Sequence, residues 1–219
     1  MKIPLILFVI FATTYADKVY HNITCNTIGM EFNTFVKHVR CPANCKLQYY
    51  KVWGNIRYNG YSQVCAAAIH DGQITNSGGK VTVYLYKGKR RYRGNLQHGI
   101  KSDSEYNFYG IAFNFRKMSA CHHSDMVITD KVYSIDCPQN CSTEGHVYGT
   151  GVYRREHSTI CASAIHDGVI TRENGGKVTV YKVYVDHTGF NTTLQHGIRS
   201  YWGGWSGQGF QFKVPDKGN

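Results

Sequence analysis

Apolar and polar residues alternate with a period of two at equivalent places in the two halves of the chain. In residues 80–86 (KVTVYLY) the alternation puts Val81, Val83 and Leu85 on one face, and residues 177–184 begin in the same way. A Gly-Gly pair, which favours a turn, precedes each stretch. The pattern predicts a strand with one buried face in each half of the chain.

A short run without a polar face also occurs twice. Residues 63–70 (QVCAAAIH) contain six consecutive small or apolar residues, and a short helix that is apolar all round is a buried one. Ser62 is suited to cap the start of this helix, and Gly72 is suited to end it in a left-handed conformation. Ser158 and Gly168 repeat both signals, so we predict one buried helix in each half.

Shorter apolar segments complete the predicted fold. Residues 52–58 (VWGNIRY) and 147–153 (VYGTGVY) each indicate a strand whose glycine suggests a bulge. Residues 113–115 (FNF) and 210–212 (FQF) indicate closing strands. Each half of the chain is therefore predicted to be a small α+β fold, made mostly of antiparallel strands around one helix.

The two halves are copies of one module. CPANC matches CPQNC, SQVCAAAIHDG matches STICASAIHDG, GGKVTVY recurs, and LQHGIKS matches LQHGIRS. Each of the four cysteines in the first copy has a counterpart 96 positions later in the second copy. They are Cys25, Cys41, Cys45 and Cys65 in the first copy, and Cys121, Cys137, Cys141 and Cys161 in the second. We predict a first module over residues 17–118 and a second module over residues 119–219.

The first 16 residues have the layout of a secretory signal peptide. One lysine precedes an apolar stretch that is too short to span a membrane, and small residues favour cleavage after Ala16. In an oxidising compartment the even number of cysteines predicts complete pairing into disulfides, with three pairings open in each module. Export also makes the sequons at Asn22, Asn140 and Asn191 candidate glycosylation sites.

Net charge separates the two modules. Residues 17–120 contain 15 Lys plus Arg against 5 Asp plus Glu, whereas residues 121–219 contain 9 of each. The first module therefore carries a balance of +10, and the second is neutral. Residues 87–93 (KGKRRYR) hold five cations, while their counterpart, residues 185–189 (VDHTG), has no Lys or Arg. The two copies have diverged in charge although they share one pattern.

The cationic segment, residues 87–93, is the candidate ligand site. Clustered Arg and Lys make charge-assisted contacts with phosphate or sulfate groups, and an interleaved tyrosine could pack on a sugar or lipid surface. The predicted binding residues are Lys87, Lys89, Arg90, Arg91, Tyr92 and Arg93. Lipopolysaccharide phosphates, heparan sulfate and anionic headgroups all fit, whereas nucleic acid is not expected to be the main partner of an exported protein. The alternative is a solvated basic loop without a dedicated partner.

Aromatic residues make a second candidate surface in residues 200–206 (SYWGGWS). Aromatic side chains among glycines can stack on sugars. Trp and Tyr also bury large apolar areas, so we favour a role as core anchors.

The His-Asp pair that ends each predicted helix raises three hypotheses: a catalytic pair, a metal site, or a helix terminus. Catalysis is disfavoured because Ser62 lies eight residues before His70, about 12 Å along a helix, and because His70 and Asp71 are consecutive and need not touch. Zinc binding by CPANC is disfavoured because a second ligand pair is missing. A histidine in the last turn can instead bond free carbonyls and, when protonated, interact with the negative end of the helix. We therefore predict a structural role for His70 and His166, with no metal or cofactor.

Taken together, the motifs resemble the LCCL domain. CPANC, VWGNIRY, SQVCAAAIHDG, GGKVTVY and HGIKS carry the resemblance, and both copies match it, so it covers nearly the whole mature chain. The resemblance implies a central helix wrapped by β-sheets, with the first cysteine joined to the second and the third to the fourth. The implied disulfides are Cys25 with Cys41, Cys45 with Cys65, Cys121 with Cys137, and Cys141 with Cys161. It also implies a secreted or cell-surface protein, linked to binding of lipopolysaccharide or other carbohydrates in host defence or matrix, without catalytic activity.

These patterns together predict an exported, disulfide-bonded and non-catalytic binding protein of two tandem modules. Its predicted ligand is an anionic carbohydrate or glycolipid. The alternative is a structural or adhesive extracellular protein with protein partners.

Overall fold

The computed structural model describes seven segments of the chain. They are residues 18–47, 49–106, 110–117, 119–141, 146–185, 192–202 and 207–213. The predicted signal peptide and its cleavage point lie outside the described residues.

Each module contains one short helix at the centre of its core. Helix α1 is Val64–His70 and helix α2 is Ile160–His166. No residue of either helix is more than 3% exposed, which confirms the prediction of a helix buried all round. Among the described residues, no helix is long and apolar enough to cross a membrane.

The two serines before the helices do not cap them, so that prediction was wrong. Helix α1 begins one residue later, and its first N–H, at Val64, donates to the carbonyl of Thr27 at 2.9 Å. The Ser62 hydroxyl instead accepts from the Trp53 N–H at 2.9 Å and is itself fully buried. Ser158 binds the N–H of Tyr148 in the same way at 3.0 Å. Because each helix starts inside the protein, neighbouring backbone groups satisfy it and the serine ties down an adjacent strand.

The strands of the first module form one sheet of six strands and two small sheets of two strands each. In chain order they are β1 (His21–Asn22), β2 (Val36–Cys41), β3 (Gly54–Asn55), β4 (Arg57–Asn59), β5 (Gly79–Lys87), β6 (Arg91–Tyr92), β7 (Leu96–Gln97), β8 (Ile100–Lys101), β9 (Glu105–Tyr106) and β10 (Ile111–Asn114). The sheet has the order β1-β2-β5-β10-β4-β3, in which β1 is parallel to β2 and the other pairs are antiparallel. Strands β6 and β9 pair with each other, as do β7 and β8.

The second module repeats this arrangement. Its described strands are β11 (Val132–Cys137), β12 (Gly149–Thr150), β13 (Val152–Arg154), β14 (Gly176–Val185), β15 (Leu194–Gln195), β16 (Ile198–Arg199) and β17 (Gly207–Gln211). Five of them form a sheet in the order β11-β14-β17-β13-β12, with all pairs antiparallel, and β15 pairs with β16. The predicted α+β fold, with mostly antiparallel strands around one helix per module, is confirmed.

Strand β5 is the central strand that the alternation predicted. Val81, Val83 and Leu85 are at most 5% exposed and line its core face. Its neighbour β2, which was not predicted, pairs with it over six residues. The predicted closing strand β10 pairs with the edge of β5 opposite β2, and its Phe113 is fully buried in the core.

The segment VWGNIRY forms a tight hairpin, where the sequence had suggested one bulged strand. Strands β3 and β4 pair around Ile56, which has a positive φ of 57°. Gly54 has a φ of +100°, and a Cβ there would lie 2.3 Å from the carbonyl oxygen of Arg57. The glycine is therefore required by the close return of the chain in a turn.

All eight cysteines are paired, but the pairing implied by the family resemblance is wrong. The disulfides are Cys25–Cys45, Cys41–Cys65, Cys121–Cys141 and Cys137–Cys161. Side chains on one face of a strand recur every second residue, so Cys41 shares the buried face of β2 with Val39. That face packs on helix α1, where the Cα atoms of Cys41 and Cys65 are 5.5 Å apart. The short helical turn Cys45–Leu47 then places Cys45 beside Cys25.

The two modules pack directly on each other. The turn Asp125–Val127 of the second module contacts β5, and Val127 is buried in the core of the first module. Across the same contact, the rings of Phe35 and His123 stack with centroids 4.0 Å apart. Burial, and then the neighbouring His122, hold the pKa of the His123 imidazole at about 4. The contact between the modules therefore stabilises the neutral form of His123 relative to the protonated form.

Replacing His123 with Phe should reduce the acid sensitivity of the protein. The unfolded chain binds a proton at His123 near pH 6.5, whereas the folded chain binds it only near pH 4, so stability falls as the pH drops through this window. At pH 5 the lowered pKa of His123 reduces the free energy of unfolding by about 2 kcal/mol relative to neutral pH. Urea denaturation at pH 7 and pH 5 measures it as the difference in pH dependence between wild type and His123→Phe.

Exposed His21 provides the control for this measurement. His21→Phe should keep the pH dependence of the wild type. Equal pH dependence in His123→Phe and wild type would show that the module contact does not disfavour the charged imidazole.

Candidate functional site

The histidine that ends each central helix is held inside the module by a tyrosine. The hydroxyl of Tyr58 lies 2.8 Å from Nδ1 of His70, and the hydroxyl of Tyr153 lies 2.9 Å from Nδ1 of His166. On the other side of its ring, His70 Nε2 lies 3.4 Å from the carbonyl oxygen of Asn95. Since a carbonyl only accepts, Nε2 carries the proton and the Tyr58 hydroxyl donates to Nδ1. Each ring nitrogen of His70 therefore has a partner within the fold.

Burial lowers the pKa of both helix-terminal histidines. It is the largest influence on His70 and on His166, and the nearby Asp71 and Asp167 act in the opposite direction. The two imidazoles are therefore neutral near pH 7. The structural role is as predicted, but a protonated histidine acting on the helix dipole is not part of it.

The free carbonyl at the end of each helix is bonded by a different histidine. His98 Nδ1 donates to the carbonyl of His70 at 2.9 Å, and His196 does the same for His166 at 3.1 Å. A Cβ at Gly72 would lie 2.8 Å from the His98 ring, so the positive φ of 76° and the glycine leave space for that ring. The recurrence of LQHG in both copies was the available signal for this contact, and sequence reasoning did not use it.

Neither helix end has the geometry of a catalytic or metal site in the described residues. The Ser62 hydroxyl, which might have served as a nucleophile, is bound to the Trp53 backbone. The Asp71 carboxylate accepts from the side chain of Gln73 at 2.9 Å. No group of three or more His, Cys, Asp or Glu side chains converges within the described part of the chain.

The cationic segment begins at the end of β5 and continues through β6. Strand β6 pairs with β9 in a two-stranded sheet, so that Arg91 lies opposite Tyr106 and Tyr92 lies opposite Glu105. Lys89, Arg90, Arg91 and Arg93 are exposed. The described ion pairs all belong to the second module, and within the described residues none involves these four side chains. Four of the five predicted cations are therefore exposed to solvent without an ion-pair partner among the described residues.

Tyr92 and Lys87 are turned away from this surface. The Tyr92 ring is fully buried, and its hydroxyl accepts from the N–H of Lys89 at 3.0 Å. The prediction that Tyr92 packs on a ligand is therefore wrong, because the small sheet β6-β9 needs a buried residue on its inner face. Lys87 donates from Nζ to the carbonyl of His157 in the second module at 3.0 Å. Burial, and then the charge of Arg154, lower the pKa of Lys87 to about 8.

The fold adds two residues that the sequence did not connect with the cationic segment. The Arg91 guanidinium lies 5.2 Å from the centre of the Tyr106 ring. Exposed Arg57, from the hairpin β3-β4, lies close enough that its charge and that of Arg93 lower the pKa of Lys89, after the larger effect of partial burial. Mutual repulsion of this kind is relieved by a bound anion.

The two described aromatic residues of the segment 200–206 are exposed, which corrects the preference for core anchors. Tyr201 is 47% exposed and Trp202 is 69% exposed. The Tyr201 ring lies beside that of Tyr148, with centroids 5.5 Å apart. Residues 203–206 lie outside the described residues. Tyr148, Tyr201 and Trp202 are called the aromatic surface below.

Two of the three sequons can be placed. Asn22 and Asn140 are exposed, as a glycan requires, and Asn191 lies outside the described residues. Glycosylation of all three remains a prediction.

Comparison with known proteins finds one family twice. The model of the LCCL domain matches residues 16–109 and residues 115–208. The human protein named cysteine-rich secretory protein LCCL domain-containing 2 is 30% identical over 189 residues, which cover 80% of this chain and 37% of that protein. Human cochlin is 42% identical over 80 residues, covering 36% of this chain and 14% of cochlin. Mouse vitrin is 45% identical over 64 residues, covering 29% of this chain and 10% of vitrin.

The chain thus spans little more than a third of the first of these relatives and a smaller share of the other two.

Replacing Tyr58 with Phe should destabilise the first module by about 1–3 kcal/mol, because it leaves the buried Nδ1 of His70 without a partner. Chemical denaturation measures the loss, and Tyr153→Phe should produce a loss of the same order in the second module. Tyr49→Phe is the control, since Tyr49 is 84% exposed. An unchanged stability in Tyr58→Phe would contradict the structural role assigned to His70.

Proposed function

Because the chain belongs to the LCCL domain family and carries two copies of the domain in tandem, we propose that it is an exported, non-catalytic binding protein. Its ligand is an anionic carbohydrate or glycolipid, such as a sulfated glycan or lipopolysaccharide. Recognition takes place on the cationic segment of the first module.

The observation that carries this proposal is the exposed group of cations around β6. Lys89, Arg90, Arg91 and Arg93 lie in and beside strand β6, and Arg57 joins them from the hairpin β3-β4. Glu105 of β9 pairs with Tyr92 in the same small sheet and is half-buried, whereas the five cations are exposed. Arginine suits sulfate and phosphate because its planar donors can contact two oxygens at once.

Export is supported by the cysteine chemistry and the leader-like start of the sequence. All eight cysteines form disulfides, and such bonds persist in oxidising compartments. One relative is named a cysteine-rich secretory protein. These features support a setting in which extracellular glycans are available as ligands.

A binding role without catalysis is supported by the state of the repeated His-Asp pair. His70 and His166 use both ring nitrogens in contacts within their own modules. A general base needs a free nitrogen within reach of the proton that it removes. The residues that first invited a catalytic hypothesis are therefore engaged in holding the helices.

Charge reversal at Arg90 and Arg91 should weaken binding to heparin and to lipopolysaccharide. The Arg90→Glu, Arg91→Glu variant of the full chain should elute from both resins at lower salt than wild type. The slope of log affinity against log salt should fall by about two, one for each lost contact, as for other polyanions. Titration of soluble heparin at several salt concentrations measures the slope.

The control is the Arg40→Glu, Lys80→Glu variant, which changes the net charge of the same module by the same amount. Arg40 and Lys80 are exposed and face each other across β2 and β5. Lys80 lies seven residues before Lys87, about 23 Å along the strand. Equal weakening by both double variants would mean that binding follows net charge and not the cationic segment. Self-association or capture of a protein, independent of Arg90 and Arg91, would favour the adhesive alternative.

A further inference from the structure

The aromatic surface of the second module is held in place by backbone pairing. Tyr148 and Tyr201 form a parallel β-bridge, in which the Tyr201 N–H donates to the carbonyl of Val147 at 2.7 Å. The Gly149 N–H donates to the carbonyl of Tyr201 at 3.2 Å. The two rings are tilted by 40° with centroids 5.5 Å apart, and Trp202 follows at once in the chain. Two of these aromatic residues are thus fixed to the scaffold at a surface that is open to solvent.

The first module has a different pair at the equivalent bridge. There Trp53 pairs with Asp103, in the same parallel sense. Tyr201 therefore stands where the first module has an exposed aspartate. At this bridge the two copies have therefore diverged, with an acidic residue in the first module and an aromatic residue in the second.

The junction between the modules connects these two surfaces by direct contacts. Lys87, the first residue of the cationic segment, donates to the carbonyl of His157 at 3.0 Å. The His157 ring meets the Tyr148 ring edge-on, with centroids 5.5 Å apart. Tyr148 in turn contacts Tyr201. Successive contacts at the junction therefore connect Lys87, at the start of the cationic segment, with the Tyr148 and Tyr201 rings of the aromatic surface.

We propose that a single anionic polysaccharide chain binds across both modules, with its charged groups on Lys89, Arg90, Arg91 and Arg93 and its sugar rings on Tyr148, Tyr201 and Trp202. The inference rests on the proposed function, and it extends the ligand site from one module to two. Sugar rings present apolar C–H faces that pack on aromatic side chains, and sulfate or carboxylate groups pair with arginine. A polysaccharide carries both features in alternation along one chain, so it can contact the cations of one module and the rings of the other.

The test compares heparin oligosaccharides of two lengths on the full chain. In Tyr201→Ala, Trp202→Ala the affinity for a long heparin oligosaccharide should fall about tenfold, as expected for the loss of two stacking contacts. The salt dependence of binding should stay that of the wild type, because no cation is removed. A disaccharide, which is too short to reach both surfaces, should bind the variant and the wild type equally. Calorimetric titration measures all three quantities.

Matched variants separate the two proposals. Tyr184→Ala removes a tyrosine that is 73% exposed elsewhere on the second module, and it should bind as wild type. The single variant Trp202→Ala changes the most exposed ring of the aromatic surface, so it provides a folded alternative if the double variant is unstable.

The outcomes are distinguishable. If the aromatic variants bind long oligosaccharides as wild type while Arg90→Glu, Arg91→Glu loses binding, the two-module site is wrong and the proposed function stands. If wild type binds lipopolysaccharide but no heparin oligosaccharide, the two-module polysaccharide site is wrong and the proposed function stands; if it binds neither, both are overturned. If single-stranded DNA binds more tightly than heparin at equal salt and depends on the same residues, the surface serves stacked bases and phosphates, and the polysaccharide assignment is wrong.

Discussion

The burial of one helix without a polar face is the constraint on which each module depends. A seven-residue helix such as α1 is too short to be stable alone, so packing against the surrounding sheet must stabilise it. Because its first and last residues, Val64 and His70, are fully buried, neighbouring segments supply the partners for its first N–H and last C=O groups. Thr27 accepts from the first N–H, and His98 donates to the carbonyl of His70. The hydrogen bond from Tyr58 to His70 then fixes the helix end to the sheet.

This arrangement has left the outer surfaces free to diverge while the two cores stay alike. The contacts of His70 with Tyr58 and His98 recur at His166 with Tyr153 and His196. The two modules differ at residues outside these contacts, and some of those residues are buried near the module junction. Gly29, where a Cβ would lie 2.4 Å from Phe113, corresponds to Asp125 in the second module. The Asp125 carboxylate is buried, accepts from Tyr133 at 2.6 Å and pairs with Arg155 at 3.1 Å, and burial raises its pKa to about 6.

The module junction converts two copies of a domain into one larger surface. Val127 enters the core of the first module, and Phe35 stacks on His123 of the second. Lys87 belongs to the cationic segment by sequence, yet its ammonium is committed to this junction. Its contact with His157 joins the start of the cationic segment to a residue whose ring meets Tyr148 of the second module. A fixed junction of this kind lets two surfaces act on one ligand without the entropy cost of joining mobile domains.

Local pattern and internal repetition determined the duplication, the buried helices, the strand β5 and the positive φ of Gly72 from sequence alone. These features depend on neighbouring residues, so the sequence carries them directly. The cations were also visible, because charge is a property of composition. Tertiary structure decided which cysteines pair. The four cysteines of a module lie on different segments, and the fold determines which of them come within bonding distance. It also decided that Tyr92 is buried, that Trp202 is exposed and that Arg57 joins the cationic segment. Each of these depends on where segments distant in the chain come to lie, and no local pattern encodes that.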